Sequence, residues 1–499
     1  MKISQHITPY LLIAISSFLS SVDNVTAFSG TSRQSRSPYA LSSGQFGAAR
    51  TNERHVLHMS NTMTDAEDRL RQRDSSKLSA LSISTDQSES LQSDGSLQNP
   101  DFSSLAAVLS CSLLITENTV GAGALVLPSL TAETGLLTAS SIFSALYVLN
   151  LISGFLIAEV SINQYETSGS QAPSSFKDLA DESLKNKDIG NIVSLISLLT
   201  NISIQTFALV RGGSIMSSAL LGGAVDPALM STSFALMLGV VCTVCSSTAL
   251  SYVASGAVMV LFTSFAGLLL PGIANVQDPV ATIFASGTSD SLFSAVSHAA
   301  PILYSSMIYQ NIVPSVAKIL SYDRSKTKSA LVLGSLFPTL LYLGWCFASN
   351  GGGVTGAASG ATLTAFSFAT IWGSAMAGVM SIGEEFQSLF SDKSATASSG
   401  DEPLSLPSVV AAVLIPLAIG LSLSHGDGDS SGALSLAGGY GSPMLYGLLP
   451  VLMAFRQRRE DGLAEPMVPG GDAVLGLLAT ATGGFIAQHF LADISGMFH

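Results

Sequence analysis

The chain has 499 residues, of which 47% are hydrophobic and only 11% are charged, and its mean hydropathy is +0.47. Soluble domains carry about 25% charged residues, so this composition excludes an ordinary soluble protein and indicates one embedded in a lipid bilayer. The formal net charge of -13 argues against a nucleic-acid partner, because nucleic-acid-binding surfaces are basic.

The first hundred residues are predicted to contain two targeting signals and a linker. Residues 1–27 have the pattern of a signal peptide that ends in small residues at Ala27. Residues 28–59 are typical of a plastid transit segment, because they are rich in Ser and contain no Asp or Glu as far as Asn52. The alternative is an ordinary signal peptide followed by a disordered tail. Residues 60–104 lack hydrophobic periodicity, which predicts a disordered polar linker.

Residues 105–495 are predicted to form one polytopic membrane domain, because they contain eleven apolar stretches separated by polar connections. Each stretch is long enough to cross ~30 Å of hydrocarbon at ~1.5 Å per helical residue. The expected spans are 105–129, 136–163, 189–222, 227–245, 249–273, 294–320, 328–349, 362–390, 405–424, 433–455 and 473–495. They predict an all-α membrane protein that has the lipid bilayer as a constant partner.

The cationic residues alternate between the connections. Twelve Lys and Arg residues follow position 100, and all except Arg211 lie in or beside the connections after spans two, six, eight and ten. The odd-numbered connections contain none. Because inner loops of membrane proteins carry an excess of Lys and Arg, this alternation predicts that the N-terminus and the even-numbered connections lie on the inner side.

Spans one and six contain helix-breaking residues at corresponding places. Span one has Gly121, Gly123 and Pro128, and span six has Pro301 and Pro314 around a polar middle. Interrupted helices at membrane depth occur where they line a cavity or are buried in protein. In inverted-repeat transporters, two broken helices five spans apart meet at the midplane and bind substrate and ions. The alternative is that these residues merely kink two ordinary membrane helices.

Around these positions the chain resembles the tryptophan/tyrosine permease family of the amino acid–polyamine–organocation superfamily. The matching residues are Val120-Gly121-Ala122-Gly123, Leu127-Pro128, Ala158-Glu159-Val160, Pro301, Ile312-Val313-Pro314-Ser315, Lys318, Gly334 and Leu341-Tyr342-Leu343-Gly344-Trp345. The resemblance implies a five-plus-five inverted repeat, the leucine-transporter-like fold, with broken helices one and six and an extra C-terminal helix. It also implies transport of aromatic amino acids (Trp, Tyr or Phe) together with protons.

Two positions depart from the family pattern. Glu117 stands where the family usually has Gly, and Met307-Ile308-Tyr309-Gln310 replaces its Phe-Gly-Phe-His. A charge at bilayer depth is costly and usually functional, so Glu117 is the expected proton-coupling residue. It could instead meet the substrate ammonium or pair with Arg211. Arg211 in turn could hold a substrate carboxylate, pair with Glu117 or snorkel to the outer interface.

The expected substrate-binding residues lie at the two breaks and on span three. Backbone N–H groups at the start of a half-helix favour a carboxylate, while hydroxyl, amide and aromatic side chains suit an amino acid with a ring. For the two tyrosines of span six, plain packing is the alternative. The complete expected set is Thr119, Gly121, Ala122, Gly123, Arg211, Tyr304, Ser305, Ser306, Tyr309 and Gln310.

Other classes of function lack their motifs. The sequence contains no Gly-x-x-x-x-Gly-Lys-Ser/Thr element for an ATP motor, and no His-Glu-x-x-His or Gly-x-Ser-x-Gly element for a membrane hydrolase. We therefore expect a transporter that is not an enzyme, with no cofactor and no metal. The targeting signals predict the plastid envelope, with another endomembrane or the plasma membrane as the alternative. A sensor or structural protein on the same fold, or a transporter of a different amino acid, stays open, as does the oligomeric state.

Overall fold

The computed structural model describes residues 100–168, 176–245, 247–288, 292–354, 357–390, 405–424, 431–459 and 466–497. Its α-helices, numbered in chain order, are α1 (Pro100–Thr119), α2 (Leu127–Thr134), α3 (Leu136–Ser168), α4 (Phe176–Leu184), α5 (Lys187–Leu221), α6 (Pro227–Val244), α7 (Ser247–Ala274), α8 (Pro279–Phe284), α9 (Leu292–Ser305), α10 (Val313–Ile319), α11 (Arg324–Asn350), α12 (Ala357–Phe390), α13 (Leu406–Ser424), α14 (Ser431–Leu436), α15 (Leu449–Arg459) and α16 (Gly471–Met497). The signal peptide (1–27), the transit-like segment (28–59) and nearly all of the linker (60–104) lie outside the described residues.

Eight helices of the described chain are long and apolar enough to cross a bilayer unbroken, namely α3, α5, α6, α7, α11, α12, α13 and α16. They correspond to the predicted spans two to five, seven to nine and eleven. Of the other three spans, one and six are broken, and span ten is a continuous helix with two π-helical stretches. The all-α membrane fold and the breaks in spans one and six are thus confirmed.

Span one is broken where the sequence places two glycines and a proline. Helix α1 ends at Thr119, a 3-10 turn follows at Ala122–Leu125, and α2 begins at Leu127. Pro128 lies in the first turn of α2. Backbone N–H groups in the first turn have no carbonyl partner within the helix, so proline costs no hydrogen bond at this position. The break therefore arises from local sequence.

Span six is broken in the same manner. Helix α9 ends at Ser305, a 3-10 turn covers Gln310–Ile312, and α10 begins at Val313 with Pro314 in its first turn. Pro301 lies inside α9, one turn before that helix ends. The proline-bounded polar segment thus behaves as the sequence predicts.

Span ten contains a change of helix type that its sequence does not predict. After α14, two π-helical stretches at Ala437–Gly441 and Met444–Leu448 precede α15. Each backbone hydrogen bond of a π-helix encloses one residue more than that of an α-helix, and π-helical stretches are frequent at functional sites. Span ten is therefore continuous but locally underwound.

The helix starts outside the membrane are capped by side chains. The Asn186 side chain accepts a hydrogen bond from the backbone at the start of α5, and Asp226 does the same for α6. At the start of α11, Asp323 Oδ1 accepts from the N–H of Ser325 at 2.9 Å and of Lys326 at 3.0 Å. The hydrogen bond from the Lys326 backbone lowers the pKa of the Asp323 carboxyl.

Two groups of spans make up the core. Helices α5, α6, α12 and α13 pack against one another, and α3 packs against α9 and α11. Aromatic rings fill the contacts within the first group, where the Phe234 ring lies 5.9 Å from Trp372. The Phe265 ring lies 5.8 Å from Trp345 and so joins α7 to α11. These packed layers hold the broken spans in place.

The cationic connections come together on one side of the molecule. The Arg456 guanidinium at the end of span ten donates to the Leu184 carbonyl after span two. Arg324, after span six, donates to Asn163 Oδ1 at 2.6 Å at the end of span two. The connections after spans two, six and ten therefore lie on the same side, the inner side of the sequence prediction.

Candidate functional site

The interruptions of spans one and six meet at Gly123 and Ser306. A Cβ atom added to Gly123 would fall 2.8 Å from the Ser306 Cβ, closer than real Cβ contacts allow. Both residues are buried, and the Ser306 hydroxyl donates to the Ile302 carbonyl at 2.7 Å. Only glycine permits this approach at position 123, so the two breaks form one structural unit.

Two aromatic side chains of span seven bind backbone carbonyls on either side of the first break. The Tyr342 hydroxyl donates to the Thr119 carbonyl at 2.8 Å, and Trp345 Nε1 donates to the Ala124 carbonyl at 3.1 Å. A buried carbonyl left unpaired costs about 1–3 kcal/mol, so these bonds stabilise the break. Both aromatics belong to the residues that resemble the family, but the resemblance does not indicate this role. The available signal is that buried Tyr and Trp side chains usually find a hydrogen-bond partner.

The chain is extended between α1 and the 3-10 turn. Gly121 has φ -129° and ψ -162°, and a Cβ there would lie 3.2 Å from Ser374 Oγ on α12. The Thr119 hydroxyl at the end of α1 is buried and donates to the Ile115 carbonyl at 2.7 Å. The Gly121 backbone N–H makes a hydrogen bond to the Tyr342 side chain rather than to a backbone carbonyl. The extended segment leads directly into the 3-10 turn at Ala122–Leu125, and the backbone N–H groups at the start of such a turn suit an anion.

A row of polar contacts between α5 and α12 continues from Ser374 toward the inner side. In order, it joins Gln205 to Gly378, Asn201 to Ser381 at 3.0 Å, and Ser194 to Glu385 at 2.7 Å. Gln205 is fully buried, and neither atom of its amide has a hydrogen-bond partner among the described residues. Apart from a polar residue at about each turn of span three, the sequence gives little sign of this row.

Tyr309 and Gln310 face span two rather than the Gly123–Ser306 contact. The Tyr309 hydroxyl donates to the Asn150 carbonyl at 3.1 Å, and its ring lies against Gly154. Gln310 Nε2 donates to Asn150 Oδ1 at 2.7 Å, while its Oε1 accepts from the Tyr309 N–H at 2.9 Å. Both side chains are buried. They join the interrupted part of span six to α3.

Tyr304 and Ser305 face spans ten and eleven. The buried Tyr304 ring lies 5.6 Å from the Phe485 ring of α16. The Ser305 hydroxyl donates to the Ile302 carbonyl at 2.9 Å, and its Cβ would be 3.1 Å from a Cβ on Gly438. Of the polar span-six candidates, the structure thus brings Ser306 to the first break and directs the others to neighbouring helices.

Glu117 and Arg211 do not pair with each other in the described structure. Glu117 is exposed on α1, one turn before the break, and the next residue, Asn118, donates to Asn311 Oδ1 at 2.9 Å. Glu117 therefore lies close to the interruption of span six as well as to that of span one. Arg211 is exposed on α5, ten residues before that helix ends at Leu221.

An apolar cavity of about 330 Å³ lies elsewhere, between α6, α7 and α12. Its lining includes Met237, Val253, Phe368 and Trp372 and offers no charged side chain. Binding sites for polar ligands need a few polar groups that fix orientation, so this cavity does not suit the two charges of an amino acid. The paired breaks are the better candidate.

Comparison with known proteins gives one family and one fold. The tryptophan/tyrosine permease family matches residues 105–355, just over half of the chain. A structure described as the inward-facing conformation of Mhp1 is 15% identical with a TM-score of 0.50, covering 78% of this chain and 90% of that chain. A mutant of the Eremococcus coleocola manganese transporter is 12% identical with a TM-score of 0.52, covering 82% and 90%. These identities show the fold alone. No curated protein sequence matches the chain.

Proposed function

Because the chain belongs to the tryptophan/tyrosine permease family and has the leucine-transporter-like fold, we propose that it is a proton-coupled secondary transporter of aromatic amino acids. One observation carries the proposal, namely that the breaks of spans one and six meet at Gly123 and Ser306. Paired interruptions of this kind are where inverted-repeat transporters bind their substrates. Family membership supports the aromatic class, which is Trp, Tyr or Phe.

The substrate carboxylate is proposed to bind at the first break. The N–H groups of Gly121, Ala122 and Gly123 lie at the start of the 3-10 turn, where the backbone dipoles favour an anion. The hydroxyl groups of Thr119 and Ser306 flank this turn and can turn from their present carbonyl acceptors toward a ligand. These five residues form the centre of the proposed site.

The other five proposed substrate residues lie on span six and on α5. Tyr304, Ser305, Tyr309 and Gln310 belong to the same interrupted span and determine how its two halves lie on α3 and on spans ten and eleven. Arg211 is the one cation within a span rather than beside a connection, and its exposed guanidinium can attract a carboxylate toward the site. We propose that each of these five side chains also contacts the substrate at some stage of the transport cycle.

Glu117 is the proposed proton-coupling residue. It stands one turn before the first break, and its neighbour Asn118 contacts the second. Arg211 does not compensate its charge, so a change of protonation at Glu117 changes the local charge by a full unit. That change is the form of coupling expected for a proton symporter.

The test is uptake of labelled Trp, Tyr and Phe by the full-length chain in liposomes, with and without an imposed pH gradient. We expect accumulation that requires the gradient. Glu117→Gln is expected to abolish gradient-driven accumulation while leaving exchange of substrate across the membrane. Glu133→Gln, which changes a half-exposed carboxylate at the end of α2, is the matched control and should retain both activities.

Three results would count against parts of this proposal. Unchanged pH dependence in Glu117→Gln would remove the coupling role of that residue. Uptake of other amino acids but not of Trp, Tyr or Phe would show that the protein transports a different class of amino acid. Binding without any flux would indicate the sensor or structural alternative.

The plastid envelope is the proposed location. The support is the sequence of residues 1–59 alone, in which a signal-peptide pattern precedes a Ser-rich stretch without acidic residues as far as Asn52. Fusion of these residues to a fluorescent protein should direct it to plastids. Retention of the fusion protein in the endoplasmic reticulum or at the plasma membrane would contradict the proposed plastid location.

A further inference from the structure

Three titratable side chains meet in the outer part of spans ten and eleven, away from the two breaks. The Tyr440 hydroxyl in the first π-helical stretch donates to Asp493 Oδ2 of α16 at 2.7 Å. His489 Nε2 lies 3.9 Å from the same oxygen, one helical turn before Asp493. The rings of Tyr440 and His489 are 4.9 Å apart. A phenol and an imidazole thus converge on a single carboxylate oxygen.

The burial of these groups falls toward the end of α16. Tyr440 is 1% exposed, His489 is 7% exposed, and the Asp493 side chain is 28% exposed. His489 Nδ1 is buried and has no hydrogen-bond partner among the described residues. A buried polar atom without a partner costs about 1–3 kcal/mol, and ionisable residues at membrane depth are usually functional. Asp493 therefore connects the outer solution with a buried imidazole.

The π-helical stretch brings this cluster against the outer half of span six. A Cβ on Gly439 would fall 2.8 Å from the His489 Cγ, so the imidazole lies directly on the backbone there. A Cβ on the preceding residue, Gly438, would fall 2.6 Å from the Pro301 carbonyl carbon of α9. Two adjacent residues thus touch the imidazole on one side and α9 on the other. Helix α9 leads directly into the span-six interruption.

We propose that Tyr440, His489 and Asp493 form a proton-binding site that acts on the outer half of span six. A proton from the outer solution passes Asp493 and forms an N–H bond at the His489 imidazole, which becomes a cation beside the carboxylate. The imidazolium then competes with the Tyr440 hydroxyl for Asp493 Oδ2. Loss of that hydrogen bond changes how the π-helical stretch packs on α9. The inference rests on the proposed transport function and adds to it a regulatory site separate from Glu117.

The charged and titratable groups described on the neighbouring helices do not contact Tyr440, His489 or Asp493. On α9, the exposed His298 pairs with Glu133 of α2 at 3.2 Å and not with the cluster. On α16, Gln488 Nε2 donates to Ser297 Oγ of α9 at 3.2 Å. The other titratable or charged groups on the packed helices include Tyr304 of α9, Tyr446 of the second π-helical stretch, Arg211 of α5, Glu159 of α3, and Arg456, Arg458 and Arg459 of α15. None of them, within the described chain, contacts the three residues.

The first test is substrate exchange by the full-length chain in liposomes at fixed inner pH, with the outer pH varied between 5 and 8, the range in which histidine titrates. We expect the wild-type rate to change by about fivefold or more across this range. His489→Gln should flatten the profile, and Tyr440→Phe, which removes only the hydroxyl group, should shift it. His298→Gln changes the other described histidine and should leave the profile intact. A pH profile that is the same in wild type and His489→Gln would overturn the proposal.

The second test does not depend on transport. Side-chain nuclear magnetic resonance of ¹⁵N-labelled histidine should show a His489 signal that titrates between about pH 5 and pH 8 and moves in Asp493→Asn. A His489 signal that does not titrate in this range would refute the site. If the wild type moves no amino acid at all, the proposed function fails, and this titration alone decides whether the proton-binding site exists.

Discussion

The Arg458 guanidinium holds the Glu159 carboxylate by two hydrogen bonds, from Nε at 2.6 Å and from Nη2 at 2.9 Å. The pair is almost entirely buried, with side chains 9% and 1% exposed, and the Met467 N–H adds a third donor at 2.8 Å. It joins the inner end of span two to the inner end of span ten and to the residues before α16. Three inner segments thus depend on a single carboxylate.

Removal of one partner should therefore be costly. Glu159→Gln leaves the Arg458 guanidinium buried without a counter-charge, and breaking a buried pair in this way costs about 3–5 kcal/mol. We expect a large loss of thermal stability in detergent. Asp472→Asn is the control, because its pair with Arg459 is exposed and spans 4.0 Å, and such pairs contribute about 0–1 kcal/mol. Equal melting temperatures for the two variants would contradict the assigned role.

The contact between the two breaks can be tested by changing the size of the side chains at positions 123 and 306. Gly123→Ala places a methyl group 2.8 Å from the Ser306 Cβ, and overpacking of this kind costs about 1–3 kcal/mol. We expect lower thermal stability and lower transport. Ser306→Gly in the same chain should restore part of the stability, because it removes the opposing atoms, but not the transport, because it also removes a hydroxyl of the proposed substrate site. Gly476→Ala on α16 has no atom within 4 Å and should be neutral. Absence of any rescue by Ser306→Gly would argue against direct contact.

The hydrogen bond from Tyr342 to the first break can be removed without changing the ring. Tyr342→Phe leaves the Thr119 carbonyl without its donor, which should lower stability by about 1–3 kcal/mol. Because the break also loses a restraint, we expect a higher KM for substrate. Tyr252→Phe is the matched control, since Tyr252 is 64% exposed. A Tyr342→Phe protein with wild-type melting temperature and KM would show that the bond does not support the site.

The cap at Asp323 predicts a stability change in acid. Its folded-state pKa is lowered, mainly by the hydrogen bond from the Lys326 backbone, so its stabilisation is present above the unfolded pKa of about 3.9 and is lost as the pH falls through the folded value. Asp323→Ala should cost about 0.5–2 kcal/mol at pH 7. Asp323→Asn keeps a capping oxygen and should remove this acid-dependent component. Melting curves of the three proteins at pH 7 and at about pH 2.5, below the unfolded-state pKa, test both statements. An Asp323→Ala protein as stable as wild type at pH 7 would exclude the capping role.

The positions of the breaks follow from sequence because their causes are local. Gly121, Gly123 and Pro128 disfavour a continuous helix whatever lies next to them, and Pro314 does the same in span six. The spans, and the clustering of the cationic connections after spans two, six and ten on one side of the molecule, are equally readable, because the bilayer acts on each segment separately.

The partners of the site residues could not be predicted in the same way. Tyr304 and Tyr309 are five positions apart, yet the intervening break turns one toward α16 and the other toward α3. Which helix a side chain faces depends on how each half-helix is rotated about its own axis. That rotation cannot be derived from the residue pattern of a single segment. The underwinding of span ten cannot be predicted from sequence for a related reason. Glycine is common in membrane helices, and the importance of Gly438 and Gly439 comes from the residues that they contact.

Gly438, Gly439 and Gly441 face three different helices. A side chain at the first would meet α9, one at the second would meet α16, and one at the third would lie 3.0 Å from the Thr200 Cβ of α5. No rotation of the segment relieves all three contacts at once. In a library of random variants selected for transport, we therefore expect these positions to retain glycine almost exclusively, although none of them carries a charge or a polar side chain. Sequence drift in this protein is restricted where its helices are most crowded, as well as where its chemistry occurs.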